Sequence, residues 1–363
     1  MKFPIYLLSC LFAILSCTSD AEFAGAQGGN TSLAEYTLAV WKEWAQASDE
    51  GLWVNSPERQ VVLREVSTLG GDAFALFYSP VDIAISGDTL FVTDSSTESV
   101  VCLNAATNEL IWKFGEPGEG PGHFSGITHI AVSNSRVFVN NQQNSRITVL
   151  DKHGDYQGDI SIATPYDLTV VNDTVLVVLS LAEGKLINLY HTVTLEKIDA
   201  FGEWETTLEQ NVVYSNRNLY VTPLPDSRIA VGSFYESVIT IYDLKNEQIE
   251  TSFFRNTPLT PPANEGGILY IHCNDICSSS DSLLYVLLPV VTIDKTLSTC
   301  RGDMPRIASI GLIDRYTLDG RYCDTVLAPE TCCGTIEING DYIYAIDCLE
   351  GFIRIYEIIP AFV

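Results

Sequence analysis

The chain has 363 residues and a formal net charge of −26, with 46 Asp and Glu against 20 Lys and Arg. A nucleic-acid surface needs clustered Lys and Arg, so that class of partner is excluded, and so is direct adsorption to an anionic membrane. With 46% hydrophobic residues the chain has enough apolar material for a sizeable core. The acidic excess suits a solvated surface or cationic ligands, metal ions included.

The chain opens MKFPIYLLSCLFAILSC. Lys2 is a minimal positive region, and the apolar run to Leu15 is too short and too terminal to span a bilayer. Residues 1–16 therefore read as a signal peptide. Ile14-Leu15-Ser16-Cys17 resembles a bacterial lipobox, which implies cleavage before Cys17 and lipid attachment to it. The expected location is exported and membrane-anchored, periplasmic or cell-surface, with the outer membrane favoured because Thr18 is not a retention Asp. The membrane is met only through the anchor. Residues 17–30 are small and polar and read as a tether. Over 31–59, Ser32 and Glu35 form a capping box, and Leu33, Tyr36, Val40, Trp41 and Trp44 recur at helical spacing, predicting a short helix and linker.

From Gln60 onward short apolar runs alternate with turn residues, and the pattern repeats. VDIAISGDTLFVTD (81–94), THIAVSNSRVFVNN (128–141), YDLTVVNDTVLVVL (166–179) and GTIEINGDYIYAID (334–347) each read as a hairpin. Ile83, Ile130, Leu168 and Ile336 open the first strand, and Val92, Val139, Val177 and Ala345 follow nine residues later in the second. A third strand comes next (SVVCL, RITVL, KLINLY, FIRIY), and often a fourth, as in ELIWKFG (109–115) and TLEKIDAFG (194–202). Residues 218–244 and 274–322 add two units, the latter with an insertion at about 288–306. The last unit stops after three strands, and QVVLREVSTLG (60–70) can supply its fourth and close a ring. The expected fold is all-β: a six-bladed β-propeller of four-stranded blades over 60–359, closed by the N-terminal strand.

Between units one and two lies FGEPGEGPGHF (114–124), with four glycines and two prolines. A phosphate loop would need Gly-Lys-Ser/Thr opening a helix. No Lys follows here, Glu116 and Glu119 would repel phosphate, and strands flank both ends. The run is expected to be a link crossing from the rim of one blade to the axis of the next, with glycine and proline supplying the turns. The longer stretch FGEPGEGPGHFSGITHIAVSNSRVFVNNQQNSRITVLDKHGDYQGDI (114–160) resembles the repeat of NHL-type and TolB-like propellers, in particular a bacterial group of six-bladed propeller lipoproteins.

The residue before each repeat Ile or Leu is polar: Asp82, His129, Asp167, Asn218, Asp275 and Thr335. Innermost strands line a propeller's channel, so these six are expected to form a ring at its mouth. Two readings stay open. Polar residues suit a water-filled mouth, and Asp82, His129, Asp167 and Asp275 also have the donor chemistry for Ca2+, or with the imidazole for Zn2+ or Mn2+. Some propellers that resemble this one are metal-dependent lactonases or lyases, in which a channel metal polarises a carbonyl or activates water. No Gly-x-Ser-x-Gly elbow or His-Glu-x-x-His helix is present. The leading expectation is a monomeric binding or scaffold module for a small molecule, a glycan or a protein, and the alternative is a channel-metal lactonase-like hydrolase or lyase.

Eight cysteines follow the signal region: Cys102, Cys273, Cys277, Cys300, Cys323, Cys332, Cys333 and Cys348. In an exported protein this even set is expected to form disulfides, one of them pinning the insertion that carries Cys300.

Overall fold

The computed structural model describes residues 61–70, 76–180, 184–203, 219–234, 236–254, 268–270, 273–280, 282–294, 306–327, 334–347 and 351–360. The expected signal peptide, tether and helix lie outside these residues, as do Cys17, Asn218, Cys300, Cys332, Cys333 and Cys348.

The regular elements among the described residues are all strands. The first, β1 (Val61–Gly70), belongs to the last blade. Blade one is β2 (Pro80–Ser86), β3 (Thr89–Asp94), β4 (Ser99–Asn104) and β5 (Leu110–Phe114). Blade two is β6 (Ile127–Val132), β7 (Arg136–Asn141), β8 (Arg146–Asp151) and β9 (Tyr156–Ser161). Blade three is β10 (Leu168–Val171), β11 (Val175–Leu179), β12 (Ile187–His191) and β13 (Lys197–Phe201). Blade four is β14 (Leu219–Leu224), β15 (Arg228–Ser233), β16 (Val238–Asp243) and β17 (Gln248–Phe254). Blade five holds β18 (Ile268–Tyr270), β19 (Asp275–Ser278), β20 (Leu283–Asp294), β21 (Arg306–Thr317) and β22 (Tyr322–Leu327). Blade six is β23 (Ile336–Asn339), β24 (Tyr342–Asp347) and β25 (Phe352–Pro360), completed by β1.

Each blade is an antiparallel meander, and β1 pairs antiparallel with β25 from Val61↔Pro360 to Gly70↔Phe352. The ring is thus closed by joining the two ends of the propeller chain in one sheet, which removes an exposed edge. The hairpin register follows the nine-residue spacing in three units, as in Ile83↔Val92, Ile130↔Val139 and Ile336↔Ala345. In unit three Val177 also lies in the second strand, but Leu168 faces Val178, because the turn holds three residues between Val171 and Val175.

The second and third strands alternate faces toward the two neighbouring blades, so both faces must be apolar. That is why runs such as Leu90-Phe91-Val92 and Val137-Phe138-Val139 are continuous and fully buried. The core is accordingly six apolar seams, one per blade junction. Phe91, Val100, Phe124 and Val139 meet between blades one and two, and Leu69, Ile83, Leu90 and Ile346 meet between six and one.

The Gly/Pro stretch is the rim-to-axis link expected from the sequence. Pro117 and Phe124 form a parallel bridge. Gly115 has φ +107°, and a Cβ there would lie 2.5 Å from the Phe124 ring. Asn144 Nδ2 donates to Gly118 O at 2.9 Å, and Arg146 donates to Gly120 O at 2.6 Å, so a loop of blade two holds the link down.

The disulfide expectation is corrected at Cys102, Cys277 and Cys323, which are free thiols. Cys102 packs in the seam between blades one and two, and Cys277 in that between blades five and six. Cys273 is buried in a third seam, between blades four and five. These residues act as small hydrophobes in separate packing layers. Burial pushes the Cys102 thiol up to about 12, so it stays protonated.

Candidate channel site

The inner strands β2, β6, β10, β14, β19 and β23 surround a cavity of about 230 Å³. Five of the six residues expected in the ring, Asp82, His129, Asp167, Asp275 and Thr335, line it together. Blade four provides the sixth position, and its register identifies the residue as Tyr220. Val221 N donates to Asp167, as Ile130 N donates to Asp82 and Ile336 N to Asp275. Val221 is therefore the counterpart of Ile130 and Ile336, and the residue before it is Tyr220.

The three aspartates share one arrangement. In each, Oδ1 accepts from the N–H of the next residue, at 2.8 Å for Asp82, 2.7 Å for Asp167 and 2.8 Å for Asp275. Oδ2 accepts from the inner strand of the following blade, at 2.8, 2.7 and 2.8 Å respectively. Asp82 thus ties blade one to two, Asp167 three to four, and Asp275 five to six. The intervening junctions use other chemistry. His129 Nδ1 lies 3.5 Å from Asp82 and 3.4 Å from Asp167, joining blades two and three. Ser278 Oγ donates to Pro223 O at 2.6 Å between blades five and four. Thr335 Oγ1 donates to Val81 O at 3.2 Å between six and one.

Burial works against the His129 imidazolium, but Asp167, Asp82 and Asp275 outweigh it and raise its pKa to about 9. Its ring stands edge-on to Tyr220, with centroids 6.1 Å apart and planes at 76°. Burial raises Asp167 to about 6, opposed by His129 and reinforced by Asp82. Burial, then Asp82 and Asp167, push Asp275 well above the carboxylate range. His129 thus sits between Asp82 and Asp167, and each of the three aspartates also receives two N–H bonds, which oppose the rise by favouring the charged form.

Below the ring the channel has a second layer, two residues along five of the six inner strands: Ala84, Ala131, Thr169, Thr222 and Glu337. Glu337 was not foreseen. Burial raises its pKa to about 8, with Asp82 adding to the rise. The signal was present in the sequence: a strand that turns Thr335 to the channel turns residue 337 there too. For metal, the expected ligands Asp82, His129, Asp167 and Asp275 already bridge strands. Among the described residues no group of three or more His, Cys, Asp or Glu is placed to hold an ion.

The inserted part of blade five begins at this same end. Asp275 pairs with Leu287, so the hairpin beyond it, paired from Leu288↔Leu312 to Asp294↔Arg306, runs past the ring. β18 adds a third strand to this extension through Ile268↔Thr292 to Tyr270↔Val290. No helix among the described residues is long and apolar enough to cross a membrane.

No curated protein sequence matches the chain. Among solved structures, a member of the DUF4221 family from Bacteroides vulgatus aligns over 83% of this chain and 98% of its own, at 10% identity and a TM-score of 0.55. U3-55K aligns over 81% of this chain and 98% of its own, at 10% identity and a TM-score of 0.53. At such identities the likeness shows the fold alone. The family model described as outer membrane protein assembly factor BamB matches residues 44–284, about two thirds of the chain and most of the propeller. A closed propeller that this model follows from ahead of the first strand into blade five belongs to the outer membrane protein assembly factor BamB family.

Proposed function

We propose that the protein is an exported scaffold, lipid-anchored at Cys17, that serves outer-membrane protein assembly by engaging a protein partner with its ring face. The observation that carries this reading is the family match over residues 44–284, on a chain whose blade-five hairpin projects past the ring. A rigid propeller presents that hairpin at low entropic cost, and β18 extends it to three strands, a platform for backbone-mediated recognition. The fold by itself assigns no function.

The test is a variant in which an Asn-Gly turn joins Leu288 directly to Leu312, which are cross-strand partners. It should keep the thermal unfolding of the parent and lose the outer-membrane assembly proteins that co-purify with the parent from detergent-solubilised membranes. An unchanged set of co-purifying assembly proteins, or none with the parent, overturns the reading. The anchor is tested separately: Cys17→Ser should move the protein from the membrane to the soluble fraction, and retention in the membrane would refute lipidation.

A further inference from the structure

We infer that the second layer of the channel is a binding site for an organic cation of the alkylammonium class, with Glu337 as its counter-ion. This site is separate from partner engagement on the ring face, and either can fail without the other. The walls leave the room: Ala84 and Ala131 fill little of the channel, and Thr169 and Thr222 little more, within the cavity of about 230 Å³. Glu337 reaches into that room from blade six. It makes no hydrogen bond or ion pair with any described residue, unlike the three ring aspartates.

The groups facing Glu337 are Asp82 of β2, Cys277 of β19 and its cross-strand neighbour Tyr344 of β24. None is a cation. Among the described residues lining the channel the one cationic group, His129, is held between Asp82 and Asp167. A half-buried carboxyl that lines the channel with no partner gains on meeting a charge that brings its own N–H donors. An ammonium supplies both, and its alkyl tail lies against Ala84 and Ala131. A metal ion would need several converging ligands, and no such group is present among the described residues.

Burial holds Glu337 near pKa 8, so at pH 7 most of it carries a proton. Cation binding breaks that O–H bond, the proton passes to the buffer, and the ammonium N–H groups donate to the carboxylate left behind. The charge of the channel is unchanged by the exchange.

The experiment is calorimetric titration with n-butylammonium chloride, in two buffers of different ionisation heat. The wild type should bind it saturably, one to one, releasing close to one proton at pH 7, and the affinity should rise about tenfold from pH 7 to 9 as Glu337 ionises. Glu337→Gln, which touches none of the blade-to-blade bonds, should keep the melting temperature, bind at least tenfold more weakly and release no proton. Ala131→Leu should fill the room and weaken binding with Glu337 intact. Absence of saturable binding to the wild type, or equal affinity and proton release in Glu337→Gln, overturns the inference.

Discussion

Asp82, Asp167 and Asp275 show why the ring positions demand a carboxylate and not merely a polar group. Each must accept two N–H bonds from two different strands, and a carboxylate has an acceptor oxygen for each. His129 neutralises part of the resulting charge, and its position gives stability a defined pH dependence. Its folded pKa of about 9 exceeds its ordinary 6.5. Its contribution is therefore fully present below about pH 6.5 and is lost as pH rises through 9. A shift of this size corresponds to roughly 3 kcal/mol as an upper bound. Thermal unfolding of His129→Gln should show a deficit against the wild type that is largest at pH 6 and nearly gone by pH 10. A deficit that does not narrow would mean that His129 acts by packing alone. The ring was legible in the sequence because a polar residue ahead of an apolar strand is conspicuous. Blade four was not, since taking Asn218 for Tyr220 shifts the register by two residues. Side chains alternate with period two, so such a slip leaves every inside and outside assignment intact and the pattern does not reveal it. Glu337 was missed for a different reason: its counterparts Ala84 and Ala131 carry no chemistry to draw the eye.

Among the elements, β1 closes the ring. Its ten residues complete blade six, cover the edge of β25, and place Leu63 and Leu69 in the seams toward blades five and one. Arg64 pairs with Glu357, and Arg354 with Glu65 at 3.4 Å, across the same junction. A chain beginning at residue 57 should unfold with the full cooperativity of the parent. A chain beginning at residue 71 should lose that transition and aggregate, because β25 becomes an open edge beside two uncovered seams. Equal melting curves for the two truncations would show that closure contributes nothing. The sequence foretold this strand from the missing fourth strand of the last unit. It could not foretell that the blade-five insertion continues β20 and β21 as paired strands, since register beyond the ring is set by contacts and not by repeat spacing.

At the scale of the whole molecule, six seams between blades replace a single central core, and cysteines are distributed among them. Cys102 and Cys277 sit in different seams with their thiols raised by burial, while Cys323 is partly exposed on β22. Titration of the native protein with a thiol reagent should label Cys323 before Cys102 and Cys277, which stay unreacted until unfolding exposes them. Finding Cys102 in a disulfide after unreduced denaturation would contradict this packing. Composition and compartment suggested bridges for all eight cysteines. They could not reveal that neighbours in sequence would face separate apolar layers.

The pairing of β1 with β25 also decides how the molecule is presented. β25 begins at the ring end, where Gly70 meets Phe352, and finishes at the far end of the blade, where Val61 meets Pro360. The chain therefore enters the propeller on the underside, at the outer rim of blade six. Were the chain anchored at Cys17, as proposed above, the anchor would act on that underside. The channel mouth and the long hairpin, which lie at the opposite end of the blades, would then face away from the bilayer.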